Sequence, residues 1–327
     1  MSSDVKPVVV DPCFALEGRD LEDFLSEFGP FSGRYVPRFP NSWPSMLRNF
    51  IENQSIVSLP AVRRQRLLER IRRELETSTY PVNWQWDDSL SWADNVVQTR
   101  NKPLGALIVG HALEPAPFLP WTDAFQEIRE SRRHSWAFRG FVSEYIDACT
   151  PLFLNSPSAY LVDPYLDVFS DAGKKLLSSL LETSKGSKCY AVEVITSRRA
   201  CGGRHGKTVE PMTFEEIERT LSSIYLALIP RDRFLRLHLV LQGKQGSEEL
   251  RLHDRFFITR FGSINFGQGF LVLDQPLPQQ NASVVSREHH ERLKLTYVDG
   301  VARHKEKLTQ KHGIPSPKGV HSIELVG

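Results

Sequence analysis

The stretch "RLHDRFFITRFGSINFGQGF", Arg251 to Phe270, decides how the second half of the chain is read. It predicts a strand, a turn at Gly262 and a second strand. Side chains of a strand alternate between its faces, so His253 and Arg255 share one face and Asp254 takes the other. That pairing suits an anionic tetrahedral group. Arginine offers a permanently charged fork of donors to its oxygens, and a neutral imidazole can attack or transfer a proton. Gly262, Ser263 and Asn265 follow closely and would add a hydroxyl, an amide and open backbone N–H groups.

Working outward, "AYLVDPYL" reads as a short strand ending at Asp163-Pro164, and "DAGKKLLSSLLETS" as a helix capped by Asp171. "CYAVEVIT" is a second buried strand. "TFEEIERTLSSIYLAL" opens with a capping box, Thr213 with Glu216, and places Phe214, Ile217, Leu221, Ile224 and Leu228 inward. "FLRLHLVLQG" alternates as a half-buried strand does. This β-α-β-α-β-β order predicts an α/β layered domain, a mixed sheet with flanking helices. After the second strand comes "SRRACGGRHGK", in which Arg198, Arg199, Arg204, His205 and Lys207 are spaced by three glycines. Loops at strand carboxyl ends line the ligand crevice of open α/β sheets, so Arg198, Arg199, Arg204 and Lys207 join Arg260, Ser263 and Asn265 as candidate phosphate-binding residues. A solvated surface loop is the alternative reading of the same residues.

The remaining sequence sets bounds. The 327 residues suffice for one large or two ordinary domains. A net charge of +2 announces no polyanion partner, so such a partner must meet a local patch. The four cysteines show no CxxC pair, no apolar run reaches membrane-spanning length and the start lacks a signal-peptide pattern, which together predict a cytoplasmic protein. No metal or cofactor site is expected. The first 58 residues, rich in Pro, Gly and aromatics, read as an irregular segment. "SLPAVRRQRLLERIRRELETS" reads as a helix capped by Ser58, with Leu67, Leu68, Ile71 and Leu75 inward and six arginines outward. "PLGALIVGHAL" is read as a buried strand, Trp121 to Cys149 as two helices broken near Arg132 and His134. The residues after about Pro276 read as linker-like loop, short helix and flexible end. The expected division is a mainly helical region over 1–150, the α/β domain over 151–275 and a polar tail over 276–327.

The order "AYLVDPYLDVF", helix, "VEVITS", capped helix and "LRLHDRFFITRFGSINFGQGF" resembles the phospholipase D-like C-terminal domain of MIT-domain proteins and related bacterial HDR-type modules, over about residues 159 to 272. Its most specific part is His253-Asp254-Arg255 with Gly267 and Gly269. The resemblance implies a phospholipase D-like fold, with His253 at the nucleophile position and Arg255 in place of the usual lysine. The position of the family's aspartate falls on Arg260, and the Gly-Ser-x-Asn run comes early. Loss of that carboxylate favours holding phosphate over cleaving it. The implied function is a phosphodiester-recognising module with a degenerate single site, acting on nucleic acid, with phage defence or mobile-element control as the setting suggested by bacterial relatives. Alternatives are a metal-independent nuclease completed by a homodimer, an acidic-phospholipid-binding scaffold, and a subunit of a larger complex.

Overall fold

A computed structural model describes residues 8–14, 18–53, 60–99, 107–109, 118–130, 135–201, 212–240, 255–270, 280–302 and 320–327. The chain divides into two units, Met1–His134 and Ser135–Gly327. His253, Arg204 and Lys207 fall outside the described residues, as do Ser58 and Asp254.

The first unit comprises β1 (Val8–Val10), α1 (Gly18–Glu27), β2 (Val36–Arg38), α2 (Trp43–Asn53), α3 (Ala61–Ser78), β3 (Thr79–Pro81), α4 (Trp92–Gln98), β4 (Leu107–Val109), β5 (Phe118–Leu119) and α5 (Trp121–Glu130). Helices dominate it, as expected, but two small parallel sheets, β1-β4-β5 and β2-β3, complete it. The opening segment is not irregular. Leu21, Phe24, Leu25 and Phe28 recur at helical spacing along α1 and its end, and Trp43, Leu47 and Ile51 do so along α2; all are buried in one core. The indole of Trp43 donates to the Val10 carbonyl at 2.6 Å, tying α2 to β1. Helix α3 buries Leu67, Ile71 and Leu75 in the same core. Pro60, not Ser58, stands at its N-cap position, and with no side-chain acceptor it makes no cap bond.

The second unit follows the order β6 (Ser135–Phe138), α6 (Val142–Asn155), β7 (Ser158–Val162), α7 (Asp171–Ser184), β8 (Ala191–Ser197), α8 (Phe214–Tyr225), β9 (Phe234–Val240), β10 (Phe256–Thr259), β11 (Ser263–Phe266), β12 (Gln280–Val284), α9 (Arg287–Leu293) and β13 (Val320–Val326). Its strands form one mixed sheet in the order β13-β9-β8-β7-β10-β11-β12-β6. The three central strands β7, β8 and β9 are parallel, and every other pairing is antiparallel. The fold is therefore mixed α/β. Strand β8 is buried at all seven positions, as a parallel strand covered on both faces should be.

Further sequence expectations need correction here. Trp121 to Cys149 holds the two helices read there, α5 and the start of α6, but a strand, β6, lies between them and pairs with β12. The tail beyond Pro276 is not merely polar linker: β12 and β13 are strands of the main sheet, and Val285, Leu293, Tyr297, Val301 and Val320 bury against it. The cap of α7 is Ser170, whose hydroxyl accepts from the Gly173 N–H, with Asp171 one position inside. Strand β9 is not half-buried, since β8 and β13 flank it and Leu237 to Val240 are all buried. The capping box of α8 forms as read, with Thr213 and Glu216 bonding reciprocally. Its α-helix stops at Tyr225, so Tyr225 joins Ile217 and Leu221 on the buried face while Leu228 is exposed.

Helices cover the two sheet faces. On one, Val162, Ile195, Val240, Phe256 and Ile258 pack with Leu293 of α9 and with Tyr297 and Val301 just after it. Phe257, of the opposite parity on β10, stacks on Phe153 of α6 at 6.3 Å between ring centroids.

Candidate phosphate-binding edge

Three of the candidate cations belong to one edge of the sheet, for a topological reason. Arg198 and Arg199 follow the carboxyl end of β8 directly. Arg255 precedes β10, which runs antiparallel to β7 with Phe256 opposite Val162, so its start lies at the carboxyl end of β7. Strand β7 separates β8 from β10, and two strand spacings amount to about 10 Å. The carboxyl ends of parallel strands are where α/β sheets offer an open crevice.

Arg255 is held from several sides. Its Nη1 donates to the Gly267 carbonyl at 2.8 Å. The guanidinium carbon sits 5.2 Å from the centre of the Tyr165 ring. Its Nε lies 4.0 Å from Oδ1 of Asp163. Asp163 closes the "DPY" strand end and is itself a hub, accepting from the Tyr165 N–H at 2.8 Å and the Phe270 N–H at 2.9 Å. Burial pushes the Asp163 carboxyl up, against the pull of those two N–H groups and of Arg255. Gly269 completes the clasp at φ +88°, and a Cβ there would stand 2.4 Å from Asp163 Oδ2 and 2.6 Å from Arg255 Cδ. The Tyr145 hydroxyl donates to the Gly269 carbonyl at 2.8 Å. The sequence signal of Asp163, Arg255, Gly267 and Gly269 is thus one hydrogen-bonded unit joining β7, β10 and the turn after β11. The arginine is preoriented, with about a quarter of its side chain in solvent.

Arg198 is also fixed. Its Nη2 donates to the Met212 carbonyl at 3.2 Å and its guanidinium lies 4.6 Å from the Phe214 ring centre. Its buried Nε has no hydrogen-bond partner among the described residues. Arg199 is exposed.

The other candidates lie elsewhere. Arg260 occupies the turn between β10 and β11, at the opposite edge of the sheet, because five strand residues from Arg255 span about 17 Å. Its main-chain N–H donates to the Ser156 hydroxyl, and its exposed guanidinium lies over Phe261. Ser263 is fully buried, and its Oγ is 2.7 Å from Nδ1 of His290. Asn265 stands opposite Phe256 and shares its face, one residue out of parity with Arg255. Arg255 is therefore not joined by Arg260 or Ser263. Sequence reasoning missed Tyr145 and the hub role of Asp163. A carboxylate closing an apolar strand is a signal for the second; nothing local signalled the first, which comes from α6.

A comparison with protein-family models gives no match to this chain, and a comparison with curated proteins gives none.

Proposed function

We propose that the second unit is a phospholipase D-like module that grips the phosphodiester backbone of nucleic acid and does not hydrolyse it. The observation that carries this reading is the gathering of Arg198, Arg199 and the clasped Arg255 at the carboxyl ends of β7 and β8. Rigid guanidinium forks match phosphate oxygens with little entropy left to lose. The carboxylate beside this edge, Asp163, already serves two backbone N–H groups and lies 4.0 Å from the Arg255 Nε. Those contacts commit it to orienting the arginine rather than an imidazole. The specific phospholipase D-like fold, the nucleic-acid partner and a setting in phage defence all belong to this proposal.

Arg199→Ala is the cleanest probe, since Arg199 is exposed and supports no described hydrogen bond or ion pair beyond its short 3-10 turn. Binding of labelled single-stranded DNA is measured by anisotropy over a series of salt concentrations. Loss of one phosphate contact lowers the slope of log K against log salt by about 1. A slope and affinity unchanged by Arg199→Ala and by Arg198→Ala together contradict the assignment of this edge.

A further inference from the structure

A second polar constellation lies on the sheet face away from α6, in the rows formed by β7, β8, β9 and β13. Register places Ser322 opposite His238, His238 opposite Ile195, and Glu193 opposite Arg236. His238 and Glu193 come from neighbouring parallel strands and are almost wholly buried, at 3% and 6% exposure. His238 Nε2 is 2.8 Å from Glu193 Oε2, and His238 Nδ1 is 2.8 Å from Ser322 Oγ. Ser322 is half-buried and belongs to β13, the outermost described strand on that side of the sheet.

The order serine, imidazole, carboxylate has a direction. A carboxylate can only accept, so Nε2 carries the proton facing Glu193. In the neutral ring Nδ1 then presents its lone pair to the Ser322 hydroxyl, the polarity in which histidine takes a proton from an attacking oxygen. The ring is turned relative to the usual serine-hydrolase arrangement, but the two nitrogens are chemically able to exchange these parts. Glu193 is held ionised. Burial raises its carboxyl, yet the hydrogen bonds from His238 and Tyr160 and the charge of Arg236 bring it below the ordinary carboxylate range. Arg236 bonds Glu193 at 3.2 Å and also Glu324, so the acid is fixed from the side opposite the histidine.

We infer that Ser322 is an activated nucleophile, with His238 as its general base and Glu193 as the residue that positions His238, and that it takes acyl groups from uncharged carboxylic esters. Arg236 is already neutralised by Glu193 and Glu324, which leaves an anionic substrate no free cation in this cluster. In the reaction Ser322 Oγ bonds to the carbonyl carbon and its proton passes to His238 Nδ1. The ester C–O bond then breaks, and the alcohol leaves with that proton. Water attacks the acyl-serine, His238 takes a proton from it and returns it to Ser322 Oγ as the acid departs. The assignment does not depend on the nucleic-acid reading of the arginine edge.

The test is covalent labelling of the full chain with an alkyl fluorophosphonate, in which Ser322 Oγ bonds to phosphorus, fluoride leaves and His238 accepts the proton. Peptide mass spectrometry locates the label. The expected result is one label per folded chain on Ser322, absent in Ser322→Ala and in heat-denatured protein. His238→Gln, shown to be folded by circular dichroism, is expected to label about 10³-fold more slowly. A folded wild type that remains unlabelled at Ser322 overturns the inference. So does a labelling rate equal in heat-denatured protein, which marks the three residues as a cross-strand hydrogen-bond network alone. The comparison of folded with heat-denatured wild type decides the matter even where His238→Gln does not fold.

Discussion

Burial raises two carboxyls in the second unit, but their partners leave them shifted in opposite directions, and the difference is measurable. Asp163 is raised above its ordinary 3.8 by burial, which its backbone N–H bonds and Arg255 only partly offset. Stability relative to Asp163→Asn is thus fullest below that ordinary value and is lost as pH rises through the folded value. Glu193 ends below its ordinary 4.5, because His238, Arg236 and Tyr160 outweigh burial. Its stabilisation relative to Glu193→Gln is full above that value and is lost as pH falls through the folded one. Urea midpoints of the two variants and the wild type, taken between pH 3 and 7 on the scale of these ordinary values, are expected to show slopes of opposite sign. Equal slopes contradict the account. Gly269→Ala tests the clasp itself: the positive φ costs about 1–2 kcal/mol and the contact with Asp163 adds to it, so the unfolding midpoint falls. At this scale His253, Arg255 and the two glycines stood out in the sequence because charge and glycine interrupt an apolar strand. The partnership of Arg255 with Asp163 and Tyr165 was not legible, since it joins residues about ninety positions apart.

Elements were legible where local signals agreed. Helix α8 carries a capping box followed by apolar residues at helical spacing, and it forms with both cap bonds in place. Thr213→Ala removes the bond to the Glu216 N–H and is expected to cost about 1 kcal/mol by chemical denaturation. No loss of stability in that variant contradicts the assigned cap. Helices α1 and α2 were hidden by the Pro and Gly around them, although the i, i+3, i+4, i+7 spacing from Leu21 to Phe28 was present. Strands β6 and β13 were hidden for another reason. Each lies at an end of the sheet formed by the described strands, and "VHSIELV" alternates too weakly to announce a strand without its partner β9. Polar residues inside apolar strands, Glu193 in "AVEVITS" and His238 in "FLRLHLV", signalled a buried pairing that only the register of three strands makes specific.

The molecule as a whole divides between His134 and Ser135. A division near residue 150 follows the composition but separates α6 from the sheet it covers, where Tyr145, Cys149, Leu152 and Phe153 are buried. A fragment spanning 135–327 is expected to unfold cooperatively, while 151–327 lacks β6 and most of α6. Loss of a core aromatic such as Tyr145 alone costs about 3 kcal/mol. Circular dichroism melts of the two fragments test the division, and equal cooperativity in both contradicts it.

The central claim is that the arginine edge holds a phosphodiester backbone without breaking it. The most direct measurement incubates the full chain with end-labelled single-stranded DNA in EDTA and reads bound and cleaved DNA from the same samples across a salt series. The account predicts intact DNA throughout, with binding that weakens steeply as salt rises. Cleavage by the wild type that disappears in His253→Ala, or binding indifferent to salt, contradicts it.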